Sequence, residues 1–424
     1  MENSKKRGTS KGFRLHIGFF GRRNVGKSSL LNAITRQNVS IVSEVAGTTT
    51  DPVEKPMELL PLGPVLFIDT AGTDDIGSLG AQRIEKTRQV IKRTDLGVLV
   101  AEAGEWGEFE ELLLGELQAQ RIPVVIALNK VDLAKPDAGL VARLQREKLP
   151  FVEVAAGKQQ GIDDFRETLL AQVPAEMVQS PVILRDLVAE GEMSVLVMPF
   201  DKEAPKGRLK QLQVQAIRDL LDGNSSCVVC QDTGLEGALD NLKTPPRLVV
   251  TDSQAFEQVN AITPKSSMLT GFSILWSRLK GDLVSQVRGT LAIDTLKPGD
   301  RVLVAESCTH HPVEEDIGRV KIPRWLEKFV GGELKFTTVQ GHDFPADLSP
   351  YKLVIHCGAC MWNRKEMLSR IHECESQGVP ITNYGLVIAY SLGMFERALE
   401  PFPEALAVYR KHKASRQPAK IAAD

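Results

Sequence analysis

The chain has 424 residues, 42% of them apolar and 25% charged, with a formal net charge of −2. At about 150 residues per domain this is room for about three domains, and the near-neutral balance offers no global basic field to nucleic acid. No apolar run approaches the ~18 residues of a membrane span and none follows the basic start MENSKKR, so the expectation is a cytoplasmic chain with no membrane and no nucleic-acid partner.

Over the first 175 residues apolar runs alternate with amphipathic stretches, the pattern of a parallel sheet with helical cover. Strands are predicted at 13–20, 65–68, 96–101 and 124–128, with a helix at 27–34. A linker is expected at 173–181, which carries prolines near both ends. A smaller α/β unit follows, with strands at 194–198, 227–230 and 248–251 and a helix at 209–221. The last region alternates again, with strands at 301–305, 334–339, 353–356 and 380–382 and a helix at 363–376. The fold class is therefore α/β in three parts, 1–175, 180–278 and 279–424, the last built on parallel strands.

Gly21-Arg22-Arg23-Asn24-Val25-Gly26-Lys27-Ser28 is a full G-x-x-x-x-G-K-S motif between a predicted strand and a predicted helix. The glycines let backbone wrap phosphates, Lys27 neutralises their charge, Ser28 holds Mg²⁺, and Val25 and Ser29 lie beside the nucleotide. Asp69-Thr70-Ala71-Gly72 supplies a metal-side aspartate and a γ-phosphate-sensing glycine after the next strand. Between these, in Gly47-Thr48-Thr49-Thr50, Thr49 or else Thr48 should complete the Mg²⁺ shell. Asn129-Lys130-Val131-Asp132 selects guanine, because a carboxylate accepts from both N1–H and the 2-amino group and adenine would leave it unpaired. Ala155-Ala156-Gly157 stands where a backbone N–H meets the guanine oxygen, with alanine where serine is usual. Lys27, Thr49, Asp69 and Gly72 are thus the expected catalytic set for GTP hydrolysis. As a set, these motifs resemble those of bacterial tRNA-modification and ribosome-assembly GTPases, which implies a Ras-like phosphate-loop G domain over 1–175. Thr73 stands where Ras has its water-orienting glutamine, and Asn24 stands where potassium-stimulated relatives carry asparagine, so K⁺ is an expected cofactor beside GTP and Mg²⁺.

Six cysteines occur, and close spacing in a chain of this size points to metal or redox chemistry rather than disulfides. Cys308-Thr309-His310 ends one predicted strand and His356-Cys357-Gly358-Ala359-Cys360 ends another, so in a parallel sheet both would converge on one edge. Three thiolates with one imidazole or carboxylate suit tetrahedral zinc or one [4Fe–4S] cluster, and spacing does not choose between them. Cys227 and Cys230 lie within an apolar strand, with sulfurs on opposite faces, and read as buried structural thiols. Cys374 reads as a helical, partly buried thiol, His16 as a satisfied core histidine, and Trp106 and Trp362 as packing.

C-x-H followed by H-C-x-x-C behind a G domain resembles the HydF family, the GTPase and scaffold maturases of [FeFe]-hydrogenase. The segments 315–323, 380–385 and 198–209 share the resemblance. It implies a [4Fe–4S] cluster on Cys308, Cys357 and Cys360, with His310, His356 or Glu315 as an exchangeable fourth ligand. It also implies a diiron subcluster as cargo, two radical-SAM maturases and apo-[FeFe]-hydrogenase as partners, and a homodimer or higher homo-oligomer with 180–278 as its dimerisation domain and 279–424 as the cluster domain. The rival reading is a tRNA- or ribosome-associated GTPase with a structural zinc site.

Overall fold

The computed structural model describes residues 11–35, 52–70, 78–174, 182–200, 209–307 and 316–416, and the chain divides into two compact units, 1–180 and 181–424. The expected linker at 173–181 falls almost wholly outside the described residues.

In the first unit β1 (Leu15–Phe20), β3 (Gly63–Asp69), β4 (Leu96–Glu102), β5 (Val124–Asn129) and β6 (Phe151–Glu153) run parallel and, with β2 (Val53–Leu59), form a six-stranded sheet of order β2-β3-β1-β4-β5-β6. Helices α1 (Lys27–Thr35), α2 (Ser78–Lys92), α3 (Glu108–Ala119), α4 (Ala138–Arg146) and α5 (Ile162–Ala171) follow the strands. Two apolar clusters form, one containing Phe19, Phe67 and Phe165 and the other Phe20, Ile68 and Leu117. Alternate residues of β1 supply both, as the period-2 geometry of a strand covered on both faces requires.

The sequence reading lacked β2 (Val53–Leu59), which pairs antiparallel with β3. Its residues VEKPMEL hide the apolar pattern, and Pro56 is tolerated because this strand has one neighbour. The first strand starts at Leu15 rather than 13, because residues 11–13 form a single 3₁₀ turn.

The second unit holds two four-stranded parallel sheets. β7 (Met193–Val197), β8 (Ser226–Cys230), β9 (Leu248–Thr251) and β10 (Met268–Gly271) take the order β10-β9-β7-β8, with α6 (Gln211–Asp222), α7 (Leu235–Asp240) and α8 (Phe256–Ile262) between them. α9 (Phe272–Lys280) and α10 (Leu283–Leu291) lead into β11 (Arg301–Glu306), α11 (Ile322–Val330), β12 (Lys335–Gln340), β13 (Leu353–His356), α12 (Arg364–Ser376) and β14 (Ile381–Asn383), in sheet order β12-β11-β13-β14. β10, only four residues long and ending in Thr270 and Gly271, was not foreseen. Nor was the environment of Cys227 and Cys230: both are half-buried, because β8 is an edge strand and its Val229 is exposed. Cys374, by contrast, is fully buried, and burial pushes its thiol up to about 12.

Candidate nucleotide site and cysteine turn

The turn after β1 exists because its glycines permit it. Gly21 and Gly26 have φ of +143° and +95°, and a Cβ at either would stand 2.2 Å from the Val100 carbonyl oxygen or from Asn129 Nδ2. Asn24, exposed, takes the left-handed conformation that asparagine adopts more readily than most residues. Lys27 opens α1 and is buried; its Nζ donates to the carbonyls of Gly21 (2.9 Å) and Arg22 (2.6 Å), arching over the loop that would hold phosphates. Ser28 Oγ donates to Asp69 Oδ2 at 2.6 Å, so the two expected Mg²⁺-side groups are adjacent, and Ser29 is half-buried next to them. These residues fit a magnesium nucleotide, since a hydroxyl and a carboxylate from different elements meet beside a lysine at a helix N-terminus. Thr48, Thr49 and Gly72 lie outside the described residues.

Asn129 organises the guanine side. Its Nδ2 donates to the Val25 carbonyl at 2.7 Å and its Oδ1 accepts from Ala156 N–H at 3.0 Å, so one buried amide ties the phosphate loop to the 155–157 turn. Lys130, at φ +63°, sends Nζ to Glu102 (2.7 Å). Asp132 pairs at 3.2 Å with Lys158, a largely exposed side chain that an incoming base can displace. Ala155 and Ala156 are buried, with Ala155 N–H donating to the Gln160 carbonyl (3.1 Å).

Sequence reasoning overlooked Arg22. Its Nε and Nη2 clasp both oxygens of Glu110 (2.7 and 3.0 Å) and Nη1 reaches Glu105 (2.6 Å), fastening the phosphate loop to α3. Glu110 is buried, although at the first turn of a helix it reads as a solvated carboxylate.

In the last sheet β11 and β13 are parallel neighbours with Ala305 opposite His356, so the chain after each emerges on the same edge. The expected convergence of the two cysteine segments therefore holds for the strands that lead to them; Cys308, His310 and Glu315 themselves are outside the described residues. Cys357 is half-buried, and its Sγ faces Ser307 N–H (3.1 Å) and Ser307 Oγ (3.2 Å); Ala359 at φ +52° reverses the chain before exposed Cys360. Among the described residues no group of three or more His, Cys, Asp or Glu side chains is arranged to hold a metal. The donor chemistry nonetheless fits a thiolate-ligated group: two cysteines on a turn at a strand's carboxyl end, one with hydrogen bonds directed at its sulfur.

His356 corrects the expectation made of it as a fourth ligand. It is fully buried, its Nδ1–H donates to the Cys357 carbonyl (2.8 Å), and its Nε2 accepts from Arg370 Nη1 (3.2 Å). Burial, and then the Arg370 charge, bring its pKa down to about 3. Both ring nitrogens are spent inside the fold, so as placed it offers none to a metal. Trp362 is buried as expected, packed near His342 and His356, and Asn363 caps α12 by accepting from Glu366 N–H (3.1 Å). His16 is likewise a core histidine, with Nδ1 near the Arg93 carbonyl and Nε2 near that of Lys11, both at 3.1 Å.

A phosphate-loop domain with guanine-selecting loops, joined to two parallel α/β sheets, defines a multidomain GTPase. Residues 16–130 match the family model of the 50S ribosome-binding GTPase, 183–281 that of the hydrogen maturase F dimerization domain, and 284–401 that of the hydrogen maturase F tetramerization domain. The chain belongs to the hydrogen maturase F family. Its G domain is similar to the tRNA modification GTPase MnmE of Chromobacterium violaceum, 36% identical over 163 residues, 38% of this chain and 35% of that protein. It is also similar to the GTPase Der of Campylobacter hominis, 35% identical over 145 residues, 33% of this chain and 31% of that protein. The chain thus spans about a third of the length of these relatives. Among solved structures, a variant of Aquifex aeolicus Era bound to GDP.AlF4⁻ is 20% identical, with a TM-score of 0.35 over 60% of this chain and 99% of that one. No helix among the described residues is long and apolar enough to cross a membrane.

Proposed function

We propose that the chain is a GTP-hydrolysing iron–sulfur scaffold that carries a diiron precursor and delivers it to apo-[FeFe]-hydrogenase. The observation that carries this reading is the Cys357–Cys360 turn at the carboxyl edge of the last sheet, with Ser307 bonded to the Cys357 sulfur beside the segment bearing Cys308. Cys308, Cys357 and Cys360 would hold a [4Fe–4S] cluster, with His310 or Glu315 at the remaining iron. A bound cluster supplies an iron site at which a second iron assembly can be bridged and released. The residues 1–175 bind GTP, with Lys27 on the phosphates, Ser28, Asp69 and Thr49 around Mg²⁺, Gly72 sensing the γ-phosphate, and Asp132 reading guanine. Asn24 would help hold K⁺ at the loop, and equal turnover in sodium and potassium buffers would remove that role.

Residues 180–278 and 279–424 are the dimerisation and cluster domains of a homo-oligomer, which works in the cytoplasm with two radical-SAM maturases. GTP hydrolysis times partner binding and release rather than driving the iron chemistry. Anaerobic iron reconstitution tests the reading. Wild type should take up about four iron per chain, and Cys357→Ser should lose them while keeping GTP turnover. A colourless zinc protein that binds tRNA or ribosomes tightly would overturn it in favour of the rival GTPase, whose support is the likeness of the G domain to MnmE.

A further inference from the structure

The phosphate loop is shaped by what its backbone allows, but Arg22 also ties it to a distant helix. The Arg22 Nε and Nη2 donate to the two oxygens of Glu110 at 2.7 and 3.0 Å, and its Cζ stands 5.4 Å from the Phe109 ring centroid. Glu110 is buried in the first turn of α3, where its Oε2 also accepts from the Gly107 N–H at 2.9 Å. The carboxylate is therefore fixed to its own helix start before it holds the arginine. Arg22 reaches Lys27 as well, through its main chain. Its carbonyl accepts from Lys27 Nζ at 2.6 Å, next to the Gly21 carbonyl at 2.9 Å.

A two-pronged bond between a guanidinium and a carboxylate fixes direction as well as distance, and it is firmer where the carboxylate is buried. What it fixes here is the residue whose carbonyl aims the Lys27 ammonium. Phosphoryl transfer depends on charge placed in advance, because little else is left for the protein to supply. We propose that Arg22 is a positioning residue for GTP hydrolysis: clasped by Glu110, it holds the phosphate-loop backbone so that Lys27 is aimed at the phosphates. This rests on Lys27 meeting the phosphates, as in the reading given above, and is independent of the iron–sulfur part of that reading. It extends the hydrolytic machinery to a carboxylate 88 positions along the chain, at the start of α3. The pair with Glu105 (2.6 Å) plays a lesser part, since that carboxylate is exposed.

Steady-state GTP hydrolysis by full-length Arg22→Lys, Glu110→Gln, the double variant and Glu105→Gln tests this. Arg22→Lys keeps the charge but loses the fork, and Glu110→Gln keeps the shape but loses one acceptor oxygen. Each should lower kcat about 10-fold, with KM moving by less than about 3-fold, because bound phosphates hold the loop in the ground state while the transition state needs the lysine already aimed. The double variant should be no slower than the worse single variant, since both remove one clasp. Glu105→Gln should stay within about 2-fold of wild type. Wild-type kcat in the single variants overturns the proposal, even where the melting temperature falls, because the pair would then be a fold contact only. So do losses that multiply in the double variant, which would mean that Arg22 and Glu110 act apart. Should Glu110→Gln not fold, Arg22→Lys beside Arg22→Gln carries the comparison of kcat with KM. Wild-type turnover in Lys27→Ala would overturn the role of Lys27 instead, while the Arg22–Glu110 pair still shows whether the clasp sets the rate.

Discussion

The nucleotide loops and the cysteine turn both stand at the carboxyl ends of parallel strands, but they are held in different ways. In the first unit backbone does most of the work: glycines at positive φ, a helix N-terminus, and one buried amide, Asn129, that joins two loops. In the second unit side chains from distant elements converge on one turn, Ser307 from the end of β11, Lys280 from α9 and Arg370 from α12. A backbone site can be carried by a contiguous motif. A side-chain site needs its neighbouring elements in place first, so its properties should be tunable at residues remote in sequence.

If the two sites are separate in this sense, variants at one should spare the other. The largest effect is expected for Lys27→Ala, which removes the charge beside the phosphates and should slow phosphate release about 10²–10³-fold; iron uptake measured in the same preparation should not change, and a parallel loss would break the comparison. Next comes Asp132→Asn, for which GTP affinity by calorimetry should fall about 100-fold, since two hydrogen bonds to a charged acceptor are lost. A xanthosine nucleotide, whose C2 oxygen accepts where guanine donates, should recover much of the loss.

Glu54, on the edge strand β2, sharpens the comparison through pH. Burial alone would raise its pKa, but hydrogen bonds from Lys11 and Arg93 outweigh that and bring it to about 2, against 4.5 when free. The unfolded chain then binds more protons between these values, so the stabilisation is complete above about 4.5 and is lost as pH falls toward 2. Acid melting of residues 1–174 should follow that window. Glu54→Gln should lower stability at neutral pH by about 2 kcal/mol and flatten the acid limb. The smallest effect is expected from Cys374→Ala, a core truncation costing about 1–2 kcal/mol in denaturant titration. Iron content should not change, as the thiol is buried in an apolar cluster with Leu303, Val354 and Ile371.

Much of the nucleotide site was legible because its chemistry is local. The tasks of Gly21, Gly26, Lys27 and Ser28 follow from their neighbours in sequence, and the asparagine and aspartate of Asn129–Asp132 need only a strand before them. The Arg22–Glu110 clasp was not legible, since nothing in an α3 that begins EFEELL says which carboxylate faces inward. In the last sheet the strands and their parallel run could be read from 301–305 and 353–356, yet the direction of His356 could not. Beside Cys357 it looks like a ligand; in a strand whose four residues are all buried it instead turns both nitrogens to interior partners. β2 went unseen because an edge strand with one sheet neighbour has no need of a continuous apolar run.

By itself the sequence determined that this chain carries a guanine-nucleotide loop system, that its strands alternate with helices, and that two cysteine-bearing segments each follow a strand. Those features depend on contiguous residues, whose spacing sets backbone geometry before any long-range contact forms. Only the tertiary structure decided that Asn129 joins the nucleotide loops, that His356 is an interior group rather than a ligand, and that Lys280 and Arg370 are buried cations bracing the cysteine turn. Each of those is a pairing between groups far apart in the chain, and the burial of a polar side chain is a property of the partners it finds, not of the residue.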